Sequence, residues 1–176
     1  MQIDSYNKYF SSFFESDLIR QQISETVDVV RKSKRIFFIG NGGSNSICSH
    51  MMEDYGKMGR VPTFTFSDPA LITCYANDYG YDKAMEEWLK LHFTDTDLLI
   101  AISSSGESPN IRNAVAYVNS VNKNVVTLSG FKPENSLSKM GLVNFQLPVS
   151  NYGIVECFHQ VILHMVLDII TGTLTV

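Results

Sequence analysis

The chain has 176 residues, of which 44% are hydrophobic and 18% are charged, so it can bury a substantial apolar core in one domain. Its 14 lysine and arginine residues are outnumbered by 18 aspartate and glutamate residues, and the formal net charge of −4 argues against nucleic-acid binding. The three cysteines form no CxxC pair, which argues against a disulfide framework or a structural zinc cluster.

The sequence shows neither a secretory signal nor a predicted membrane span. The amino terminus lacks the basic segment and apolar segment of a secretory signal, and no stretch approaches the length needed to cross a bilayer. We therefore expect a cytoplasmic protein that does not contact a membrane. Because no repeat or low-complexity linker divides the sequence, residues 1–176 are expected to form a single domain.

The predicted elements alternate between helix and strand. Helical spacing of apolar residues predicts two helices between Tyr6 and Lys32, and this N-terminal segment, residues 1–33, is expected to pack on the core or at a subunit interface. The predicted strands are Arg35–Ile39, Pro62–Phe66, Asp97–Ile102, Asn124–Leu128 and Val143–Pro148. The predicted later helices are Ser44–Met58, Tyr81–Phe93, Ser108–Asn122 and Tyr152–Ile170. This alternation predicts an α/β three-layer sandwich with a mainly parallel five-stranded sheet.

Two loops that follow predicted strands carry the main functional signal. Gly40-Asn41-Gly42-Gly43-Ser44 follows the first strand, and Ser103-Ser104-Ser105-Gly106-Glu107-Ser108 follows the third. Each loop opens a helix, so its backbone N–H groups and hydroxyls can bind an anion. Because ligands of parallel sheets bind beyond the carboxyl ends of the strands where the strand order reverses, we expect the loops to meet over one pocket. The sequence therefore predicts a site for a phosphate ester.

Either loop by itself is also consistent with an ordinary polar turn at a helix start. Ser108 suits the N-cap position, because Pro109 follows it at the first helical position. The first loop has Asn45 where the GxGxxG fingerprint has its last glycine, and no GxxxxGK[ST] motif is present. Nicotinamide dinucleotides and ATP are therefore disfavoured, and no nucleotide cofactor is expected.

Ionisable residues on two predicted helices indicate acid–base chemistry or metal binding. His50 and Asp54 are four residues apart and share one helix face. On the last helix Glu156 and His164 belong to one stripe, whereas His159 lies at a different side, so both histidines cannot easily serve one site. Two histidines and two carboxylates suit Zn²⁺ or a similar ion, but the same groups can transfer protons without a metal. Spacing alone does not separate these roles.

Taken in order, these features resemble the sugar isomerase (SIS) domain family and, within it, the phosphoheptose isomerases. The resemblance rests on GNGGS with the downstream His50, on Ala76-Asn77-Asp78-Tyr79-Gly80, on SSSGES and on the terminal helix that bears His164, and it covers most of the chain. It implies a flavodoxin-like topology and a homotetramer. It also implies conversion of sedoheptulose 7-phosphate to D-glycero-D-manno-heptose 7-phosphate, an early step towards the heptose of lipopolysaccharide, capsule or another glycoconjugate.

The resemblance also implies roles for individual residues. The implied sugar contacts are Asn41, Gly42, Gly43, Asn77, Asp78 and Glu156. The implied phosphate contacts are Ser103, Ser104, Ser105 and Ser108. The implied ligands of a zinc ion, one per subunit, are His50, Asp54, Glu156 and His164. The implied catalytic residues are Asp54, Glu156 and His164. The family pattern has glutamate at the position of Asp54 and glutamine at that of Glu156.

Two other functions are compatible with these residues. Asp54 and Glu156 change groups that face the sugar, so the chain can be an isomerase of another phosphosugar. It can also be a non-catalytic SIS module that senses a phosphosugar or binds a protein, although the presence of both His50 and His164 argues against that. A DNA-binding regulator is disfavoured, because the segment before the first strand is too short and too acidic for a helix-turn-helix module.

Overall fold

The computed structural model describes residues 2–173 and contains a parallel five-stranded sheet between two layers of helices. The strands are β1 (Ile36–Gly40), β2 (Thr63–Thr65), β3 (Leu98–Ser103), β4 (Val125–Gly130) and β5 (Val143–Leu147). They pair in the order β2-β1-β3-β4-β5, and each of these pairs is parallel. This is the flavodoxin-like order, in which the strand order reverses between β1 and β3.

Seven α-helices are present within residues 2–173. They are α1 (Gln2–Phe14), α2 (Asp17–Lys32), α3 (Gly43–Lys57), α4 (Pro69–Tyr79), α5 (Tyr81–His92), α6 (Pro109–Val121) and α7 (Tyr152–Thr171). A short 3₁₀ helix, Leu137–Lys139, lies between β4 and β5. The predicted strands and helices are confirmed, with their ends displaced by a few residues.

Helix α4 was not predicted. Its start is defined by Asp68, whose side chain accepts hydrogen bonds from the N–H groups of Ala70 and Leu71, and by Pro69 at the first helical position. None of its residues is fully buried, although Leu71, Ile72 and Tyr75 pack partly buried against the core beside α5. The Asp-Pro pair was the signal available in the sequence.

Alternating residues of the central strands build two apolar cores on opposite faces of the sheet. On one face, Phe38 and Ile100 belong to a buried cluster that includes α2, α3 and α7. On the other face, Phe37 and Leu99 pack in a cluster with α5 and α6. Every residue of β1, β3 and β4 is buried, as expected for parallel strands that are covered on both sides.

The N-terminal helices pack on the first of these cores. Phe13 of α1 meets the ring of Phe158 in α7 edge-on, and Phe14 stacks on the same ring. Ile23 and Val27 of α2 are buried in the cluster that α7 completes. The described part of the N-terminal segment therefore belongs to the core of the subunit, and its role at a subunit interface stays a prediction.

The expectation that no segment is long enough to cross a bilayer is wrong for α7. This helix has 20 residues and a window of mean hydropathy 1.6, so length and composition alone would allow a span. Its apolar character has another explanation in the structure, because Phe158, Ile162 and Val166 pack into the core beside α2 and α3. We interpret α7 as the central core helix of the domain.

An ion pair between the partly exposed Arg35 and the buried Asp97 connects the start of β1 to the turn before β3. The buried carboxylate of Asp97 accepts hydrogen bonds from Arg35 Nε at 2.9 Å and Nη2 at 2.6 Å. It also accepts bonds from the backbone N–H of Thr94 at 2.7 Å and from its hydroxyl at 2.9 Å. Burial alone would raise the pKa of Asp97, but the bonds from Arg35 and Thr94 outweigh this effect and hold the pKa below its usual value.

We expect Asp97→Asn to lower the free energy of unfolding by about 2 kcal/mol at neutral pH, because the change weakens the charged hydrogen bonds that Asp97 accepts from Arg35 and Thr94. Since the folded-state pKa of Asp97 is lowered, its stabilisation is complete above the unfolded-state pKa of about 4 and is lost as the pH falls through the folded-state value. Urea unfolding at neutral pH and near pH 3 measures this difference. The exposed neighbour Asp95→Asn is the control, and an undiminished difference near pH 3 would contradict the prediction.

Candidate active site

A pocket of about 270 Å³ opens at the carboxyl ends of β1 and β3, where the strand order reverses. This volume is close to the lower end of small-molecule sites, roughly 300 Å³. The lining residues are Asn41, Gly42, Gly43, Ser44, Ser103, Ser104, Ser105, Ser108, Tyr152 and Glu156. The two predicted loops therefore meet over one pocket, and the first turns of α7 form its third wall.

The N-terminus of α3 opens onto this pocket. Gly42 occupies its N-cap position with a φ of +54°, a conformation that glycine adopts without strain. No side chain caps the helix. Its first N–H groups, together with the positive end of the helix dipole, are therefore available to a negatively charged ligand.

The serine loop brings hydroxyl groups to the opposite wall. Ser108 occupies the predicted N-cap position of α6, but its hydroxyl does not cap the helix and instead accepts a hydrogen bond from Ser103 Oγ at 3.2 Å. The hydroxyl of Ser104 is buried without a hydrogen-bond partner among residues 2–173. A buried unpaired hydroxyl costs on the order of 1–3 kcal/mol, which a bound anion would offset. This unpaired group fits a phosphate ligand.

The segment between β4 and β5 supports the serine loop from behind. Gly106 has a φ of +68° and packs so closely on Asn135 that no Cβ would fit. The Glu107 carboxylate accepts bonds from the N–H and the hydroxyl of Ser136, both at 2.8 Å, and these bonds lower the pKa of Glu107. Glu107 is therefore engaged in holding the loop.

Glu156 extends from α7 over the N-terminus of α3. A Cβ atom built on Gly43 would lie 2.7 Å from Cδ of Glu156, so only glycine allows the carboxylate this close approach. The positive end of the α3 dipole favours a negative charge at this place. Glu156 thus lines the pocket beside the first loop, and its contact with the sugar stays a prediction.

We expect Gly43→Ala to lower kcat/KM about a hundredfold, because the new methyl group would displace the Glu156 carboxylate by about 1 Å. Steady-state kinetics with sedoheptulose 7-phosphate, the substrate that the resemblance implies, measures this effect, and thermal unfolding shows whether the variant is folded. Ser46→Ala, at an exposed position of the same helix, is the matched control. A Gly43→Ala protein with wild-type kinetics would show that the position of Glu156 is unimportant.

Three ionisable side chains converge where α3 packs against α7. Oδ2 of Asp54 lies 3.4 Å from Nε2 of His50 and 3.8 Å from Nδ1 of His164. The two imidazole rings approach edge-on, with their centroids 5.3 Å apart. One ligand atom from each residue lies within 4.8 Å of the other two, and this is the one group of its kind in the described part of the chain.

The His50–Asp54–His164 cluster fits a divalent metal ion. Tetrahedral bonds to zinc place neighbouring ligand atoms about 3.3 Å apart, close to the two separations from Asp54. The cluster is open to solvent on one side, since the His50 and His164 side chains are 44% and 36% exposed. Three protein ligands with an open position are typical of catalytic rather than structural sites.

Glu156 is not part of this cluster, although the resemblance implied it as a fourth ligand. The structure places Glu156 in the pocket lining, and the group able to hold an ion comprises His50, Asp54 and His164. Spacing along α7 correctly placed Glu156 and His164 on one stripe. This spacing does not determine the distance of the Glu156 and His164 side chains from the residues of α3.

His159 is separate from both the pocket and the cluster. Its ring is fully buried, and Nε2 lies 3.2 Å from the carbonyl oxygen of Ser129. Burial lowers the pKa of His159 to about 4, so the ring is neutral near pH 7. This placement agrees with the inference that the two histidines of α7 do not serve one site.

Two predicted sugar contacts lie outside the pocket lining, and one unpredicted residue lies in it. Asn77 and Asp78 are exposed at the end of α4, where Asn77 Nδ2 donates to Asp78 Oδ1 at 2.9 Å. Their contact with the sugar stays a prediction. Tyr152 was not predicted, although its spacing of four residues from Glu156 was a usable signal. It lines the pocket and packs edge-on against Phe131, with the centroids 4.7 Å apart.

Comparisons with known proteins identify the family to which this chain belongs. The family model described as the SIS domain matches residues 5–130. The phosphoheptose isomerase of Fusobacterium nucleatum is 30% identical, with 94% of this chain and 91% of the relative covered. That of Cytophaga hutchinsonii is 30% identical, with 98% and 95% covered. The structure of a phosphoheptose isomerase from Neisseria gonorrhoeae shares the fold with a TM-score of 0.86 at 19% identity, and 97% of this chain and 95% of that one are covered. The chain therefore belongs to the SIS domain family and, within it, to the phosphoheptose isomerases.

Proposed function

We propose that this chain is an aldose–ketose isomerase that converts sedoheptulose 7-phosphate to D-glycero-D-manno-heptose 7-phosphate. The observation that carries the proposal is that helix α3 has the anion pocket at its N-terminus and, further along, His50 and Asp54, which meet His164 of α7. The phosphoheptose isomerases among the relatives support this choice of sugar. The product would supply the heptose of lipopolysaccharide, capsule or another glycoconjugate.

The phosphate and the sugar of the substrate would bind to different residues. The phosphate would lie against the hydroxyls of Ser103, Ser104, Ser105 and Ser108, where Ser104 has an unpaired group to offer. The first loop and Glu156 would contact the sugar. His50 lies about 10 Å from Gly43 along the axis of α3, a distance that an extended seven-carbon phosphate ester can span. The reacting carbons would thus reach the cluster while the phosphate stays bound.

The isomerisation needs a base and a group that moves protons between oxygens. A carboxylate, Asp54 or Glu156, would remove a proton from C1 of the open-chain ketose and return it to C2. His164 would deliver a proton to the C2 oxygen and accept one from the C1 oxygen. The proton count balances, because the substrate and the product differ only in the positions of two hydrogens. The enediolate between them needs stabilisation of its negative oxygen.

A divalent ion fits this chemistry as the stabilising group. His50, Asp54 and His164 would hold it, and two imidazole nitrogens with one carboxylate are suited to Zn²⁺. When bound, the ion would supply positive charge next to the developing negative oxygen. The same two histidines and Asp54 would orient the sugar end of the substrate around it.

The direct test is an assay with sedoheptulose 7-phosphate before and after treatment with a chelator. We expect turnover in the untreated enzyme, loss of turnover in the chelated one, and recovery on addition of Zn²⁺. Full activity after verified metal removal would contradict the metal assignment. Turnover of another phosphosugar instead would identify a different isomerase, and tight binding without turnover would identify a sensor.

We also propose that the protein forms a homotetramer in the cytoplasm. Within the subunit α4 has no fully buried residue, and Tyr79 at its end and Tyr81 and Leu91 of α5 are large apolar residues exposed at the surface. Exposed apolar surface of this kind is typical of contacts between copies of a chain. Size-exclusion chromatography with light scattering tests the assembly, and a monomer at micromolar concentration would contradict it.

A further inference from the structure

Two asparagine side chains join the loops that form the pocket. Nδ2 of Asn110 donates to Oδ1 of Asn41 at 2.8 Å, and Nδ2 of Asn41 donates back to Oδ1 of Asn110 at 3.0 Å. Asn110 is only 2% exposed and Asn41 is half-buried, so the reciprocal amide pair is partly shielded from water. Hydrogen bonds in such surroundings are stronger and more costly to break than bonds at the surface.

The neighbours of the pair fix the amide of Asn41 further. The hydroxyl of Tyr81, at the start of α5, donates to the same Oδ1 of Asn41 at 2.8 Å. The amide oxygen of Asn41 thus accepts two hydrogen bonds, which is its full capacity. On the other side, Nδ2 of Asn110 also contacts the sulfur of Met85 at 3.7 Å. The Asn41 side chain is therefore committed to holding the loop and has at most one N–H left for a sugar.

The hydrogen-bonded pair of Asn41 and Asn110 lies just beyond the carboxyl ends of β1 and β3. Gly40 of β1 and Ile102 of β3 are the last paired residues of these neighbouring strands. Beyond them the backbone ladder no longer sets the distance between the chains. Asn41 directly follows β1, and Asn110 lies in the first turn of α6 just after the serine loop. The pair therefore connects the first loop to the start of α6 at the edge of the sheet where the pocket forms.

We propose that Asn110 is a positioning residue that sets the spacing between the first loop and the serine loop. The inference rests on the proposed function, since a substrate held by its phosphate at one loop and by its sugar at the other needs that spacing to be correct. Asn110 does not line the pocket and acts through Asn41. Loss of the pair should therefore impair turnover more than it impairs binding of phosphate alone.

The main test is Asn110→Asp, which keeps the size of the side chain but removes the donor to Asn41. At pH 8 the introduced carboxylate cannot donate, and two oxygens would face each other. We expect kcat with sedoheptulose 7-phosphate to fall about a hundredfold, as for a misplacement of about 1 Å. Inhibition by inorganic phosphate, which the proposed function assigns to the serine loop, should weaken much less than kcat, by about tenfold at most, a loss that the added negative charge near the loop can cause by itself. Equal loss of both would overturn the inference.

Protonation should rescue this variant. A neutral carboxylic acid has one O–H donor and one carbonyl acceptor, so it can form the same reciprocal pair with Asn41. Burial raises the pKa of a carboxyl group, which brings protonation within reach of the assay. We expect the ratio of variant kcat to wild-type kcat to rise as the pH is lowered from about 8 to about 5.5. A general loss of stability would not recover in this direction.

Two further variants serve as controls. Asn113→Asp makes the same chemical change one turn along α6, where the amide bonds to the carbonyl of Asp82 outside the pocket, and it should keep wild-type kinetics. Tyr81→Phe removes only the third bond to Asn41 from a residue that is 48% exposed, so the protein should fold normally. We expect its kcat to fall by a smaller factor, about threefold to tenfold.

Hydrogen exchange separates this inference from the proposed function. The peptide that contains residues 40–46 should exchange faster in Asn110→Asp than in Asn113→Asp, and this measurement needs no substrate. If the wild type does not isomerise sedoheptulose 7-phosphate, the proposed function fails while the exchange comparison still tests the pair. Wild-type kcat together with wild-type exchange in Asn110→Asp would overturn the inference.

Discussion

His164→Ala should lower kcat about a thousandfold while the protein stays folded, because the imidazole is the group proposed to move protons between the two substrate oxygens. The side chain is 36% exposed, so its truncation leaves no cavity in the core. It lies 3.8 Å from Asp54 and edge-on to His50, and its loss also removes one of three groups able to hold an ion. The measurements are kcat with sedoheptulose 7-phosphate, zinc content and Tm.

The other histidine of α7 provides the contrast. His159 is buried and neutral, so His159→Gln should lower the unfolding free energy but leave kcat per folded molecule unchanged. The exposed His92→Ala should change neither quantity. Wild-type turnover in His164→Ala would refute its assignment. An equally large loss of kcat in His159→Gln and in His164→Ala would contradict the assignment of catalysis to the side of α7 that bears His164.

Asp54→Asn should also reduce kcat about a thousandfold, because the carboxylate lies between both imidazoles and is a candidate for the base. An amide of the same shape keeps the packing but can neither accept the proton nor neutralise a metal ion. We therefore expect the zinc content to fall together with kcat. Glu53→Gln is the matched control, since it changes a carboxylate to an amide at the adjacent exposed position.

Asp54→Glu tests whether the position of the carboxylate matters in addition to its charge, because it keeps the charge and lengthens the side chain by one methylene. It introduces the residue that the family pattern has at this position and keeps the carboxylate. We expect metal binding to be retained and kcat to fall about a hundredfold, less than in Asp54→Asn, because the added methylene moves the carboxylate by about 1 Å. If Asp54→Asn and Glu53→Gln lost activity equally, the effect would come from the charge of the helix rather than from the cluster.

The sequence determined the fold because its signals are local and repeated. Within the predicted strands Arg35–Ile39 and Asp97–Ile102, every residue after the first is apolar, as buried parallel strands require, and β1 and β3 occur there. Glycine and serine loops after these two strands could be assigned to one pocket because the carboxyl ends of parallel strands lie at the same edge of the sheet. The flavodoxin-like order then places both loops at the reversal point.

Helix spacing determined part of the site for the same reason. The separations of His50 from Asp54 and of Glu156 from His164 fix which residues share a helix face. They also separate His159 from His164. None of this depends on how the helices pack, so the sequence alone was sufficient.

The tertiary structure decided every feature that depends on the distance between elements. The packing of α3 against α7 sets which side chains meet, and it groups His50, Asp54 and His164 while Glu156 lies over Gly43. The hydrogen bonds between Asn41 and Asn110 join residues 69 positions apart, which no local pattern could reveal. Composition likewise did not distinguish a core helix from a membrane span in α7. Periodicity fixes directions around one helix, whereas distances between helices arise only when the whole core packs.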